Sequence, residues 1–168
     1  MLLIRSLLAI VLVGFVGSSC TTTSPDSQAQ QLTLQELTES PGYAWFPAEM
    51  TTYTPRAPYV AQVAANFDAQ STKVCVFVRP SCSCTGTQKL FPQVIKTLMA
   101  AGVNMDNVEI WSMRSITDTH PYQSVLAIDD LPEIWILRDG AAGKHIVEAQ
   151  YQVSNPNADS LLAAALVP

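Results

Sequence analysis

Lys73-Val74-Cys75-Val76-Phe77-Val78-Arg79-Pro80-Ser81-Cys82-Ser83-Cys84 is the stretch from which the rest of the chain can be read. Val74 to Val78 is apolar at every position, the mark of a strand covered on both faces. Pro80 and Ser81 interrupt that run, and a helical pattern follows from Gln88. Cys82 and Cys84, with only Ser83 between them, therefore sit where a core strand gives way to a helix. Unpaired N–H groups and the dipole at a helix start favour a negative sulfur. A thiolate is the form that attacks disulfides and binds soft metals, so the pair points to redox or metal chemistry more than to packing.

On the C-terminal side, Gln88 to Ala101 predicts a helix with two adjacent apolar rows, Leu90-Val94-Leu98 and Phe91-Ile95-Met99, and Gly102 ends it. Val108 to Met113 reads as a second strand and Pro121 to Ile128 as a short helix with proline near its start. Ile134 to Leu137 is again apolar throughout and runs into the turn Arg138-Asp139-Gly140. Ile146 to Val153 alternates, with Val147, Ala149, Tyr151 and Val153 on one face, and predicts a strand covered on one side. Asn157 is placed to cap a last helix carrying Leu161, Leu162 and Leu166. On the N-terminal side, Tyr59, Val63 and Phe67 recur at four-residue spacing and predict a helix from Pro58 to about Ala69. The order is αβαβαββα, an alternation that predicts an α/β domain over residues 58–168 with helices on both faces of a central sheet.

That order, with thiols after the first core strand and Leu131-Pro132 leading into the third, resembles the thioredoxin-like fold. The resemblance covers about residues 58–168 and implies a central mixed β-sheet with flanking helices. Cys82 stands where that family carries its first active-site cysteine. Leu131-Pro132-Glu133-Ile134-Trp135-Ile136-Leu137-Arg138-Asp139-Gly140 is similar to the family's cis-proline, strand and hairpin. The resemblance implies that the Leu131–Pro132 bond is cis, beside the cysteines, and that Pro132 and Leu131 border the groove where substrate backbone lies. It further implies Cys82 as attacking thiol and Cys84 as resolving thiol.

Three departures bear on that inference. The family's usual pair has two residues between the thiols, and this chain has one. Val76 takes the strand position where many members carry a buried acid. The helix proline, Pro92, lies further from the cysteines than usual, which predicts a longer loop through Thr85-Gly86-Thr87. A disulfide across a one-residue gap closes a smaller ring, and ring strain makes the bond more reducible. The more oxidising potential suits an oxidase or isomerase better than a reductant.

Other readings stand beside the redox one. The pair can be an inert staple, or Cys75 can bridge to Cys82 or Cys84, although Cys75 reads most simply as a buried core thiol. Two thiolates one residue apart also suit Cu(I), with Cys82, Cys84 and His120 as the ligand set of a copper-binding protein. His145 carries no partner signal for a metal, and Met99 and Met113 stand at core-like positions and read as packing. A third class is a non-catalytic lipoprotein that binds another envelope protein.

The N-terminus reads as an export signal. Residues 1–19 hold one positive charge, Arg5, then an apolar run from Leu7 to Val16, closing on Gly17, Ser18 and Ser19 before Cys20. The cleavage region resembles a bacterial lipoprotein box, which implies that Cys20 carries lipid, although Gly17 stands where a larger aliphatic is usual; conventional cleavage after Ser19 is the alternative. Thr21 is not the aspartate that marks inner-membrane retention, so the resemblance implies an outer-membrane anchor with the protein facing the periplasm. In that oxidising compartment a resting disulfide is expected, with envelope protein thiols or disulfides as partners.

Of the 168 residues, 149 remain after the 19-residue leader, enough for one ordinary domain and a tail. Net charge is −5 for the chain and −6 once Arg5 is lost, which makes it a poor partner for nucleic acid. No second apolar stretch is long enough to cross a bilayer. Residues 20–57 are expected to form a linker and arm: Thr21 to Gln31 a disordered spacer, then Tyr43, Trp45, Phe46 and Tyr53 among prolines. These aromatics either offer a ligand surface or pin the arm to its own domain. No Gly-rich phosphate loop, carboxylate pair or nucleophile elbow is present.

Overall fold

The computed structural model describes residues 27–153 and 157–168. The expected signal at 1–19 and the lipidation site Cys20 lie outside the described residues. A mixed sheet of five strands runs in the order β1-β3-β2-β4-β5. The strands are β1 (Gln30–Leu32), β2 (Thr72–Val78), β3 (Val108–Ser112), β4 (Glu133–Arg138) and β5 (Ala141–Val147). The helices are α1 (Leu34–Glu39), α2 (Phe46–Thr52), α3 (Ala57–Asn66), α4 (Phe91–Ala100), α5 (Glu148–Val153) and α6 (Ala158–Leu166). None of the described helices is long and apolar enough to cross a membrane.

Strand β2 is central, as its uniform apolarity requires. It runs parallel to β3, with Val76 opposite Ile110, and antiparallel to β4, with Val74 opposite Ile136 and Val76 opposite Ile134. Val74 to Val78 and Ile134 to Leu137 are thus neighbours in one sheet. Alternation along β2 divides the core in two. Val74, Val76 and Val78 face the helices, where they meet Val63, Leu90, Phe91, Val94, Ile95, Leu98, Leu162 and Leu166. Cys75 and Phe77 face the other way, toward Trp111, Met113, Leu126, Ile128 and Leu131. The β4–β5 hairpin turns on Asp139 and Gly140, both at positive φ (51° and 78°), as a two-residue turn with right-handed strand twist requires. Gly102, at φ 75°, closes α4 in the left-handed conformation.

Four expectations change. The spacer does not extend to Gln31: Ala29 is buried, Gln28 bridges Thr119, and β1 pairs antiparallel with β3 along Leu32–Ile110. The arm is part of the domain, so the boundary at 57/58 is not a structural one. Tyr43 and Phe46 are buried, and Trp45 and Phe46 pack on Phe91 with ring centroids 6.2 and 5.2 Å away. Pinning, not display, is what these aromatics do.

The third change is at Pro121 to Ile128, where no helix forms. Leu126 and Ile128 are both buried, a spacing of two that belongs to extended chain, and the Tyr122 hydroxyl donates to Glu109 at 2.7 Å. Turns and extended segments between 114 and 131 therefore cover the second sheet face in place of a helix. Fourth, the strand expected over Ile146 to Val153 ends at Val147. Glu148-Ala149-Gln150 are good helix formers, and Gln150 Oε1 accepts the Val147 N–H at 3.1 Å, one half of a capping box that starts α5.

Candidate functional site

Strand β2 ends at Val78, and the chain reverses through Arg79-Pro80-Ser81. Ser81 takes the left-handed conformation (φ 56°), uncommon for a residue with a Cβ, and its N–H donates to the Gly42 carbonyl at 2.8 Å. The arm that carries Gly42 thus fixes the bend that presents Cys82. The sulfurs of Cys82 and Cys84 are joined, with Cα atoms 5.3 Å apart. Both cysteines are half-buried, so burial does not single out Cys82 as the exposed partner. The backbone separates them in another way: the Cys84 N–H points at Cys82 Sγ, 3.2 Å away. A donor so placed stabilises negative charge on Cys82 sulfur.

The helix follows at once rather than after a longer loop. Gln88 N–H donates to the Cys84 carbonyl at 3.1 Å, and the Gln88 side chain donates to the Cys82 carbonyl, also at 3.1 Å. Gly86 to Leu90 form a π-helical turn in which the Phe91 N–H reaches back to Gly86. The reason is Pro92, which has no N–H and whose ring crowds the carbonyl four residues earlier in a regular helix. One widened turn accommodates it, and such turns recur at functional sites. Lys89 on this turn pairs with Glu49 of α2 at 2.6 Å. Glu49 also accepts from Gln93 at 2.8 Å, and Tyr151 of α5 donates to Gln93 at 3.2 Å. Two helices, α2 and α5, are thereby tied to the start of the cysteine-bearing one.

The Leu131–Pro132 peptide is cis, and both residues are buried. Pro132 meets the helix start at Gly86. A Cβ added to Gly86 would lie 2.8 Å from Pro132 Cδ and 2.6 Å from Glu148 Oε2. Glycine is required there because two other elements close on its backbone. Glu148 is an acid that sequence reasoning missed. The strand position where the family carries an acid holds Val76, wholly buried in the core, but a carboxylate from the start of α5 stands against Gly86, two residues after Cys84 in the chain. The only sequence signal for it was the break between Val147 and the helix formers that follow.

Cys75 is a free, wholly buried thiol, so the bridge from Cys75 to Cys82 or Cys84 does not form. Burial pushes its thiol up to about 12, despite the opposing influence of the nearby Tyr122 hydroxyl. His120 is buried on the Phe77 side of the sheet, its ring 4.9 Å from Phe77, with Nδ1 accepting the Tyr122 N–H at 3.3 Å. Burial lowers its affinity for a proton. Among the described residues no group of three or more His, Cys, Asp or Glu side chains gathers to hold a metal ion, so Cys82, Cys84 and His120 are not assembled as a ligand set. A polar cleft lined by Tyr43, Pro80, Ser112, Arg114 and Asp118 borders the cysteine loop at Pro80. No family model, curated protein or solved structure matches this chain.

Proposed function

We propose that this chain is an envelope lipoprotein with a thioredoxin-like domain, acting as a thiol–disulfide oxidoreductase or isomerase through Cys82 and Cys84. One observation carries the reading: a joined cysteine pair at the end of the central strand, directly before a helix, with the Cys84 N–H aimed at Cys82 sulfur. The cis Leu131–Pro132 bond leading into β4 and the antiparallel β4–β5 hairpin are in keeping with the resemblance drawn from the sequence.

In the oxidising direction a substrate thiolate attacks Cys82 Sγ, and the Cys82–Cys84 bond breaks with its electron pair leaving on Cys84. A second substrate thiolate then attacks the substrate sulfur of the mixed disulfide and expels Cys82 as thiolate. Two electrons pass from the substrate dithiol to the cysteine pair, and the substrate's two protons go to solvent or to the new thiolates. Cys82 is the better leaving group because the Cys84 N–H stabilises its charge. In isomerisation the reduced pair starts the sequence, with Cys82 attacking a substrate disulfide. The anchor is Cys20, lipidated, on the periplasmic face of the outer membrane.

The test is trapping. Reduced Cys84→Ser protein offered a disulfide-bonded substrate should accumulate a mixed disulfide through Cys82, and Cys82→Ser should accumulate none. Equal behaviour of both variants and the parent, in this assay and in insulin reduction, would remove the enzyme reading. Protection of the reduced pair by Cu(I) in the same preparation would put copper binding in its place.

A further inference from the structure

Glu133 opens β4 directly after Pro132, and it is wholly buried. Alternation along β4 turns it away from the helices with Trp135 and Leu137, beside Phe77, its partner on β2. The proposed exchange chemistry makes no use of this acid. A buried carboxylate is costly unless paired, and replacing a buried pair by apolar side chains is often neutral or stabilising. Stability alone therefore gives little reason for an acid here.

Two groups hold the carboxylate. Oε1 lies 2.6 Å from Nδ1 of His145 on β5, and neither atom has another partner among the described residues. Oε2 accepts the Asp129 N–H at 3.1 Å, so the side chain reaches back over the residues that precede its own strand. Burial raises the carboxyl above its ordinary value, and the Asp129 N–H and the His145 ring act against that. His145 is held in turn: it stands opposite Trp135, and the two rings meet edge-on at 4.4 Å.

The segment that Glu133 braces is the one that meets the cysteine-bearing helix. Within it the Asp130 side chain accepts the Leu131 N–H at 2.7 Å, and Leu131 and Pro132 are buried. Pro132 Cδ stands 2.8 Å from where a Cβ on Gly86 would lie, two residues after Cys84. Contact thus runs from His145 through the Glu133 carboxylate to Asp129, and from Pro132 to the helix start.

We propose that Glu133 and His145 are positioning residues for the cysteine site: the imidazole fixes the carboxylate, the carboxylate fixes residues 129–132, and that segment sets the face against which a polypeptide client lays its disulfide. The inference rests on the reading of Cys82 and Cys84 as a thiol–disulfide site whose groove Leu131 and Pro132 border. A polypeptide needs that face and a small disulfide does not, which separates positioning from general damage.

The test compares insulin with oxidised glutathione, each offered to the reduced full chain carrying Cys20→Ser and Cys84→Ser. Cys82 thiolate attacks the substrate disulfide, forms the mixed disulfide and expels the other substrate sulfur as thiolate. Glu133→Leu/His145→Phe removes both partners together and leaves no unpaired charge. It should slow the reaction with insulin roughly tenfold, as a displaced binding face does, with little change toward oxidised glutathione or in the urea midpoint. His145→Phe alone keeps a ring against Trp135 and frees the carboxylate, and should show the same selective loss. Glu133→Gln, whose amide can accept from Asp129 N–H and donate to His145 Nδ1, should keep the insulin rate. Unchanged insulin rates in the double variant and in His145→Phe, equal slowing toward both disulfides, or a glutamine variant as slow as the double one would overturn the proposal. Absence of any mixed disulfide before these substitutions would remove the cysteine reading, and the proposal with it.

Discussion

Three cysteines among the described residues, in two environments, differ by what surrounds each sulfur. Cys75 is wholly buried among Phe77, Trp111 and Met113, and desolvation pushes its thiol up to about 12. At pH 8 it is almost entirely protonated and unreactive. Iodoacetamide should therefore label none of Cys75, Cys82 and Cys84 in the native oxidised chain, and only Cys82 and Cys84 after mild reduction. Cys75 should react only once denaturant is added, as read by peptide mass spectrometry. Labelling of native Cys75 at a rate near that of the reduced pair would show that its burial is wrong. Gly86 is the second decisive residue. Alanine there places a methyl group within 2.8 Å of both Pro132 and Glu148, an overpacking that costs about 1–3 kcal/mol. Gly86→Ala should lower the urea midpoint and also change the rate of reaction at the cysteines, because the displaced groups border the helix start. Serine at position 86 should do the same.

At the scale of elements, the tie between α3 and α6 is a carboxylate. Asp159, 1% exposed, accepts from the Arg56 backbone N–H at 2.8 Å, from its side chain at 2.8 and 3.1 Å, and from Ser160 N–H at 2.7 Å. Burial alone would raise this carboxyl, but the Arg56 and Ser160 bonds outweigh it and hold it below the usual range. A carboxyl depressed in the folded state contributes stability that is present above its unfolded value, near pH 4, and lost as pH falls through the folded one. Asp159→Asn should cost about 2 kcal/mol at pH 7, with Arg56 left partly solvated, and should flatten the loss of urea midpoint below about pH 4. A parallel acid limb in parent and variant would assign that limb to other carboxylates. Elements of this kind were unevenly legible in the sequence. Val74 to Val78, Gln88 to Ala101 and Ile134 to Leu137 declare themselves through uniform or periodic apolarity, which follows from burial. Strand β1, Gln-Gln-Leu, has no such signal, because it exists only by pairing with β3. Ala141-Ala142-Gly143 is likewise made a strand by the hairpin turn before it. The corner position of Cys82 and Cys84 could be read, but the meeting of Gly86 with Pro132 and Glu148 spans distant parts of the chain and had no local trace.

For the whole molecule, the placement of β1 at the edge of the sheet means that folded structure begins close to the proposed lipid site. Cys20 and Ser27 are seven peptide links apart, and an extended chain reaches at most ~3.6 Å per residue, so the tether spans no more than about 25 Å. Cys20→Ser should move the protein from the membrane to the soluble fraction on centrifugation; retention of that variant in the membrane would show that the lipid is not the anchor. Given the anchor, Ser27, and the sheet edge that follows it, must stay within about 25 Å of the lipid site. A client would have to come to the membrane to be served, and insertion of a long Gly-Ser segment between Thr23 and Ser24 would widen the range of proteins that the cysteines can reach.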